Sequence, residues 1–368
     1  MIMKIKYIVA VFVAGLGLTL NAQTTQKLTA TKASEYGIIY SLPTTVVDIT
    51  LETETTVKKP GEFYRYAKKY LNSDDAISTE FKTTRLKSVV INVRAVANDD
   101  ERYLMQFKPG TSPFLILNEE NVPLSVNAEE VSQSTPKPQL PKAVAAKPTP
   151  LESEAAQQVL SGEMVQSQSL SKRAEIAASQ LFALRNNRSE LLAGEAEQMP
   201  PDGKAMELIL DNIQAQESAL LAMFLGTTQS YTEVKTFTYT PDAEVENEVL
   251  ARISAIDGII DAGNLAGVPV YLSMKIEEKG ELPVDEKGVV KTFPKGGVAY
   301  KIPGKVSVKI DCEGKTYCKE VISSAQHGVV FGLDPKLFTD KKDPIYVLFD
   351  PLTGAIKELG SVKNLPAK

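Results

Sequence analysis

Two cysteines, a single histidine and a scatter of carboxylate doublets are the residues of this 368-residue chain that could do more than pack. Cys312 and Cys318 stand in the segment Asp-Cys-Glu-Gly-Lys-Thr-Tyr-Cys, where one strand-like run ends and the next begins. If Gly314-Lys315-Thr316 is the loop, Glu313 opposes Tyr317 and Cys312 opposes Cys318. A directly opposed, non-hydrogen-bonded cross-strand pair holds its Cα atoms about 4.5 Å apart, within disulfide range. The expectation is a structural disulfide contributing about 2 kcal/mol, because the loop it closes is short. A one-residue shift of the turn would break the alignment. Five residues separate the cysteines, which is not the two-residue spacing of a redox or zinc pair. With His327 the only histidine, a zinc site has few other ligands to draw on.

His327 has the chemistry of a general base, and Ser323 and Ser324 lie close in sequence. No Gly-x-Ser-x-Gly elbow accompanies them, so a strand-end histidine before Gly328 is the plainer reading. Carboxylate doublets occur at Asp74-Asp75, Asp99-Asp100, Glu119-Glu120 and Glu277-Glu278. Glycosidases need two facing carboxylates, whereas neighbours on a strand point to opposite faces. Gly258, Gly263 and Gly267 lack the Gly-Lys-Ser or Gly-Lys-Thr of a phosphate cradle and read as a long hairpin loop. Phe63, Tyr64, Tyr66 and Tyr70 could stack on a ligand, but helical spacing turns three of them to a core and the chain has no Trp. No catalytic, cofactor-binding or metal-binding residue emerges from these patterns.

The elements that position these residues follow an N-terminal export segment. Lys4 and Lys6 make a basic start, Ile8 to Leu20 is an uncharged apolar run, and Asn21-Ala22 leads into Gln23. This is the pattern of a secretory signal peptide over 1–22, cut between Ala22 and Gln23, although Leu20 is larger than the residue preferred there. The run is shorter than a membrane span, and no later segment is long enough, so no transmembrane span is expected after signal removal. No cysteine near the cut supports a lipid anchor, and the chain lacks the repeated amphipathic strands of an outer-membrane barrel. Losing Lys4 and Lys6 takes the net charge from −5 to −7. No basic stripe is present, which argues against nucleic acid as a partner.

Residues 23–132 read as an N-terminal β-rich domain. Val47, Ile49 and Leu51 alternate with polar residues, as do Val89, Ile91 and Val93 and then Tyr103, Met105 and Phe107. Pro60-Gly61 starts one short helix, with Phe63, Tyr66, Ala67 and Tyr70 on its inner face. Pro136, Pro138, Pro141, Pro148 and Pro150 make 133–150 a semi-extended linker.

A helical hairpin occupies 151–228. Ile176, Leu181, Leu184 and Leu191 form one stripe, and Met206, Ile209, Leu210, Ile213, Leu220 and Phe224 the other. Met199-Pro200-Pro201-Asp202-Gly203 breaks between them, Asp202 caps the second helix and Gly226 ends it. Helices of about 23 residues are about 35 Å long, so the hairpin must either lie along the β units or project from them. Residues 229–368 return to strands, with Val268, Val270, Leu272, Met274 and Ile276 alternating and Val306, Val308, Ile310 and Cys312 doing the same. The fold expected is α+β: two sandwich-like β-rich units with a long antiparallel helical hairpin between them.

Six segments carry a further signal: the helix at 63–71 (Phe-Tyr-Arg-Tyr-Ala-Lys-Lys-Tyr-Leu), the hairpin core at 181–203, Phe-Leu-Gly at 224–226, the strand at 267–276, Gln-His-Gly at 326–328 and Phe-Asp-Pro-Leu-Thr-Gly at 349–354. Together they resemble a family of exported Bacteroidota-type proteins described as domain of unknown function 4831. The resemblance covers nearly all of the mature chain and implies export from a cell with two membranes, in the periplasm or associated with the outer membrane. It implies no activity. The leading expectation is a non-catalytic adaptor or assembly factor without a cofactor. Its interface is the hairpin, through Leu184, Leu191, Ile213, Leu220 and Phe224, and its partner is another envelope protein or a second copy. The alternatives are a glycan- or peptide-binding β-sandwich module and, last, a carboxylate-dependent hydrolase.

Overall fold

A computed structural model of the chain describes residues 24–27, 37–106, 114–128, 138–340 and 342–364. The signal segment, with Ala22 and Gln23, lies outside the described residues, as does the proline-rich stretch before Pro138. The first half contributes β1 (Thr24–Lys27), β2 (Ile38–Lys59), α1 (Ala67–Leu71), β3 (Phe81–Gln106), β4 (Leu115–Leu117) and β5 (Pro123–Val126). Four helices follow: α2 (Glu154–Gln158), α3 (Gly162–Gln166), α4 (Leu170–Ala193) and α5 (Gly203–Leu225). The remainder comprises β6 (Thr227–Tyr239), β7 (Val245–Ser254), β8 (Gly258–Ile260), β9 (Val268–Glu278), β10 (Val298–Cys312), β11 (Lys315–Leu333), α6 (Lys336–Thr339), β12 (Ile345–Phe349) and β13 (Ile356–Ser361).

The strands form three sheets, ordered β1-β3-β2-β6, β11-β10-β9-β7-β8 and β13-β12-β5-β4. This corrects the division into two β-rich units. Strands of 23–132 and of 229–368 share the first and third sheets, because β2 takes β3 on one side and β6 on the other. The hairpin makes that possible by returning the chain to where it left the sheet, so that Thr227 pairs with Lys59.

The alternation read from the sequence gives the first core. Val47, Ile49 and Leu51 of β2 meet Val270, Leu272 and Met274 of β9 and the inward residues of β10. In register, Cys312, Ile310, Val308 and Val306 lie opposite Val270, Leu272, Met274 and Ile276. Bulges adjust which residues face inward. On β2, Tyr40 and Leu42 point into a different core, where they meet Tyr103, Met105, Val347 and Phe349. A register break between Ser41 and Pro43 then hands the inward role to Val47, Ile49 and Leu51. On β3 the break at Lys87 does the same between Leu86 and Ile91. One extra residue flips every later side chain to the other face.

The Lys87 bulge also provides for a buried acid. Glu52 accepts from Lys87 Nζ at 2.8 Å and from Ser88 Oγ at 2.6 Å. The Lys87 bond first, then the Ser88 bond, holds its carboxyl below the ordinary range.

The described part of the proline-rich stretch is docked. Val144 exchanges backbone hydrogen bonds with Thr232, and Gln229 Nε2 donates to the Lys147 carbonyl at 2.6 Å. These contacts cover the outer edge of β6, and a proline-rich strap is one way to close an edge strand against aggregation.

At the Lys59 end of β2 a helical core takes over. Phe63, Ala67, Met164, Ala174, Leu181, Leu220 and Phe224 pack together. Gly226 makes the turn from α5 into β6 at φ +87°, and a Cβ there would stand 2.3 Å from the Lys59 carbonyl. Gly226→Ala is therefore expected to cost about 2–4 kcal/mol, measured as a lowered urea midpoint with an unchanged slope.

Candidate interface on the helical hairpin

The reactive residues do not converge. Cys312 and Cys318 are free thiols. The turn between β10 and β11 is two residues, Glu313 and Gly314, both at positive φ, the preference of a tight hairpin. Cys312 therefore faces Lys315, and a bulge at Tyr317 sets Cys318 opposite Ile310. That register removes the expected disulfide. Burial, followed by the nearby Glu313 charge, pushes the Cys312 thiol up to about 11. Burial, followed by Glu320, does the same to Cys318.

Ser324 donates to Gln326 Oε1 at 3.2 Å, and the His327 Nε2 atom is buried with no hydrogen-bond partner among the described residues. The residues of all four carboxylate doublets are exposed. Around Gly258–Gly267 the loop is filled by Arg252, which donates to the carbonyls of Ala262 and Gly267. Among the described residues no three His, Cys, Asp or Glu side chains are placed to hold a metal.

The hairpin forms where expected and projects from its base. Ser169 Oγ accepts from Lys172 N and Asp202 Oδ1 from Ala205 N, capping both helix starts. Gly194 ends α4 in the left-handed region. The basal parts are buried against α1, α2 and α3, through Ala174, Ile176, Ala177, Ala178 and Leu181 on α4 and Ala219, Leu220 and Phe224 on α5. Of the five residues expected at an interface, Leu220 and Phe224 are thus interior. Leu184, Leu191 and Ile213 are half-buried. Apart from exposed Ile209, the stripes drawn from the sequence run along the side where the helices face each other, crossed by the Arg188–Glu217 ion pair at 3.3 Å.

The available surface is elsewhere. Beyond Leu181 the arm exposes Phe182, Leu192, Met199, Leu208 and Ile209, with Leu192 at 66% and Leu208 at 72%. A second apolar stripe at helical spacing, Phe182 and Leu192 one position after the seam residues Leu181 and Leu191, is the sequence signal that reveals it.

The family model described as Domain of unknown function (DUF4831) matches residues 36–357. The chain belongs to that family. No curated protein and no solved structure matches it.

The motifs of this DUF4831 chain acquire physical roles. Gln326 binds the backbone of Thr45 at both ends, its Oε1 accepting from Thr45 N at 3.0 Å and its Nε2 donating to Thr45 O at 2.6 Å. Gly354 of the 349–354 turn accepts from Lys301 N, and a Cβ on it would meet the Pro43 ring at 2.8 Å. Lys301, 4% exposed, pairs with Glu101 at 2.6 Å and donates to Ala325 O. The register breaks of β2, β3, β10 and β11 meet at this crossing.

A concavity lies under the β9–β10 connection. Phe293 and Tyr300 meet Phe331 edge-on, at 6.2 and 6.3 Å between ring centres. Tyr300 and Phe331, with Val289, Val290 and Pro294, border a cleft of about 590 Å³. The signal for it was the length of the 279–297 connection, since most hairpin loops need only 2–5 residues.

Two outcomes follow. Lys301→Ala leaves Glu101 without its cation and is expected to cost about 2–3 kcal/mol, less than a fully enclosed pair because Glu101 is partly exposed, read by chemical denaturation. Because both thiols have folded values above the unfolded one, their contribution to stability is complete below about pH 9 and is lost as pH rises toward about 11. Stability of the wild type should fall across that window faster than that of the Cys312→Ala/Cys318→Ala variant, and iodoacetamide should label the native thiols slowly at pH 8.

Proposed function

We propose that this chain is an exported, non-catalytic envelope protein that acts as an adaptor or assembly factor through its hairpin. The observation that carries the reading is the exposed apolar arm, whose base is anchored in a packed helical core while Leu192, Leu208 and Ile209 meet solvent. Large apolar side chains left exposed on an element whose base is fixed suit contact with a partner. Export rests on the basic, apolar and small-residue order of 1–22. The two sheets that share the first core support a sandwich-like reading of the body.

The cleft with Tyr300 and Phe331 in its wall favours one second reading, a glycan- or peptide-binding module. Glycan and peptide arrays probed with wild type and Tyr300→Ala would reveal it as signal lost in the variant.

The export half is checked by cell fractionation and N-terminal sequencing, where the mature chain is expected to begin at Gln23. The interface half is checked by photo-crosslinking groups placed in cells at Leu192 and Leu208, with exposed Val321 on β11 as the control. Crosslinks specific to the arm and lost in Leu192→Glu are expected. Equal crosslinking from Val321, or a partner that survives replacing 184–213 by a short turn, would sink the reading.

A further inference from the structure

In the five-stranded sheet, alternation turns Leu272 and Met274 of β9 and Val306, Val308 and Ile310 of β10 into the first core. The residues between and beyond them, Ser273, Lys275 and Glu277 and then Ser307 and Lys309, stand on the outer face. They floor a concavity of about 850 Å³. Lys319 of β11 borders it on one side, and the segment Glu244–Asn247, where β7 begins, borders it on the other. A bulge raises the β7 wall. Glu246 and Asn247 both lie across from Ser273, between the register pairs Val245–Met274 and Glu248–Leu272, and Asn247 takes φ 54°. Asn247 N donates to Ser273 Oγ at 3.0 Å and Glu244 Oε1 accepts from Ile276 N at 2.8 Å, which fixes the wall to β9.

Unmatched polar groups meet in this concavity. Ser307 is only 7% exposed, and its hydroxyl makes no hydrogen bond among the described residues. A buried hydroxyl left unpaired carries a desolvation cost that a ligand atom can offset. Ser307 lies opposite Lys275 on one side and Val321 on the other, which sets Lys319 on its diagonal, about 7–8 Å away. Lys309 is engaged by Asp311 at 2.6 Å. Lys275 and Lys319 have no ion-pair partner among the described residues, and neither do Glu246 and Glu277 toward the β7 end. A simple anion would meet the glutamates and a simple cation the lysines, so neither matches the whole concavity. A molecule that carries both charges does.

Spacing sets the length of that molecule. Strands lie about 4.8 Å apart and rise about 3.3 Å per residue. Ser307 is one strand from Glu277 and two strands from Glu246, which separates the two ends by about 8–11 Å. An extended tripeptide, at up to about 3.5 Å per residue, holds its ammonium and carboxylate that far apart. We infer that this concavity binds a short zwitterionic peptide. The Ser307 hydroxyl donates to its carboxylate between Lys275 and Lys319, and Glu246 and Glu277 receive its ammonium. No residue of the hairpin arm or of the Tyr300 cleft takes part, so the inference stands apart from both readings above.

The test is a titration of the wild-type protein with trialanine at low salt, read from amide chemical-shift changes. Saturable shifts are expected, with a midpoint raised about tenfold or more when the peptide is amidated at its carboxyl end or acetylated at its amino end. In Lys275→Ala/Lys319→Ala, amidation should make no further difference. In Glu246→Gln/Glu277→Gln, acetylation should make none. A general loss of structure would not produce that matching of probe to variant. Tyr300→Ala should bind as the wild type does. An absence of shifts at about 10 mM trialanine overturns the inference. So do capped peptides that bind as tightly as the free one, and so does inorganic phosphate binding as tightly as trialanine, which would make the concavity a simple anion site.

Discussion

A strand of 22 residues runs about 70 Å at 3.3 Å per residue, more than one core can cover. β2 therefore passes through one packed cluster after another. Tyr40 and Leu42 serve the cluster with β12, Val47 to Leu51 serve the cluster with β9 and β10, and just beyond Lys59 the chain places Phe63 in the helical core. Much of the architecture follows from supplying this strand with partners. β3 accompanies it along most of its length, and β6 returns from the hairpin to close its other side. Its bulges follow from the same constraint, because cores on different sides of a twisted strand need the alternation reset between them.

The resets are costly unless the freed backbone groups find partners. At the crossing near Pro43 the partners are side chains. Gln326 stands in for a strand at Thr45, and Thr45 Oγ1 accepts from Ala325 N at 2.9 Å. The Lys301–Glu101 pair sits in the same place, with the Lys301 amine also reaching a carbonyl. Its burial is tolerable because several acceptors share one cation. The joint thereby gives Gln326 and Gly354 structural roles.

The helical core frees the arm from the sheets. Its base is held by α1, α2 and α3, and its seam by half-buried Leu184, Leu191 and Ile213, so the distal surface has no duty in stabilising the monomer. Leu192 and Leu208 in water cost little to the folded state relative to the unfolded one, where they are also wet. Such residues persist on a surface without harm to the fold, and their removal is a test of contact and not of stability.

Much was legible from the residues alone. Two-residue alternation located β2, β3, β9 and β10, and helical periodicity with Asp202 and Gly226 bounded the hairpin. These are local properties, set by side-chain direction along one element. The family pattern was legible for the same reason. What the sequence could not determine was which strand lies beside which, and on which residue each turn closes. The Cys312–Cys318 pairing failed because a two-residue turn with a bulge at Tyr317 was more favourable than a three-residue loop. The two halves merged because β2 had two edges to satisfy, and Leu220 and Phe224 were lost as an interface because α1, α2 and α3 close over that end of the arm. Apolar periodicity identifies a face that must be covered. Only the tertiary structure decides what covers it, because that depends on contacts between residues far apart in the chain.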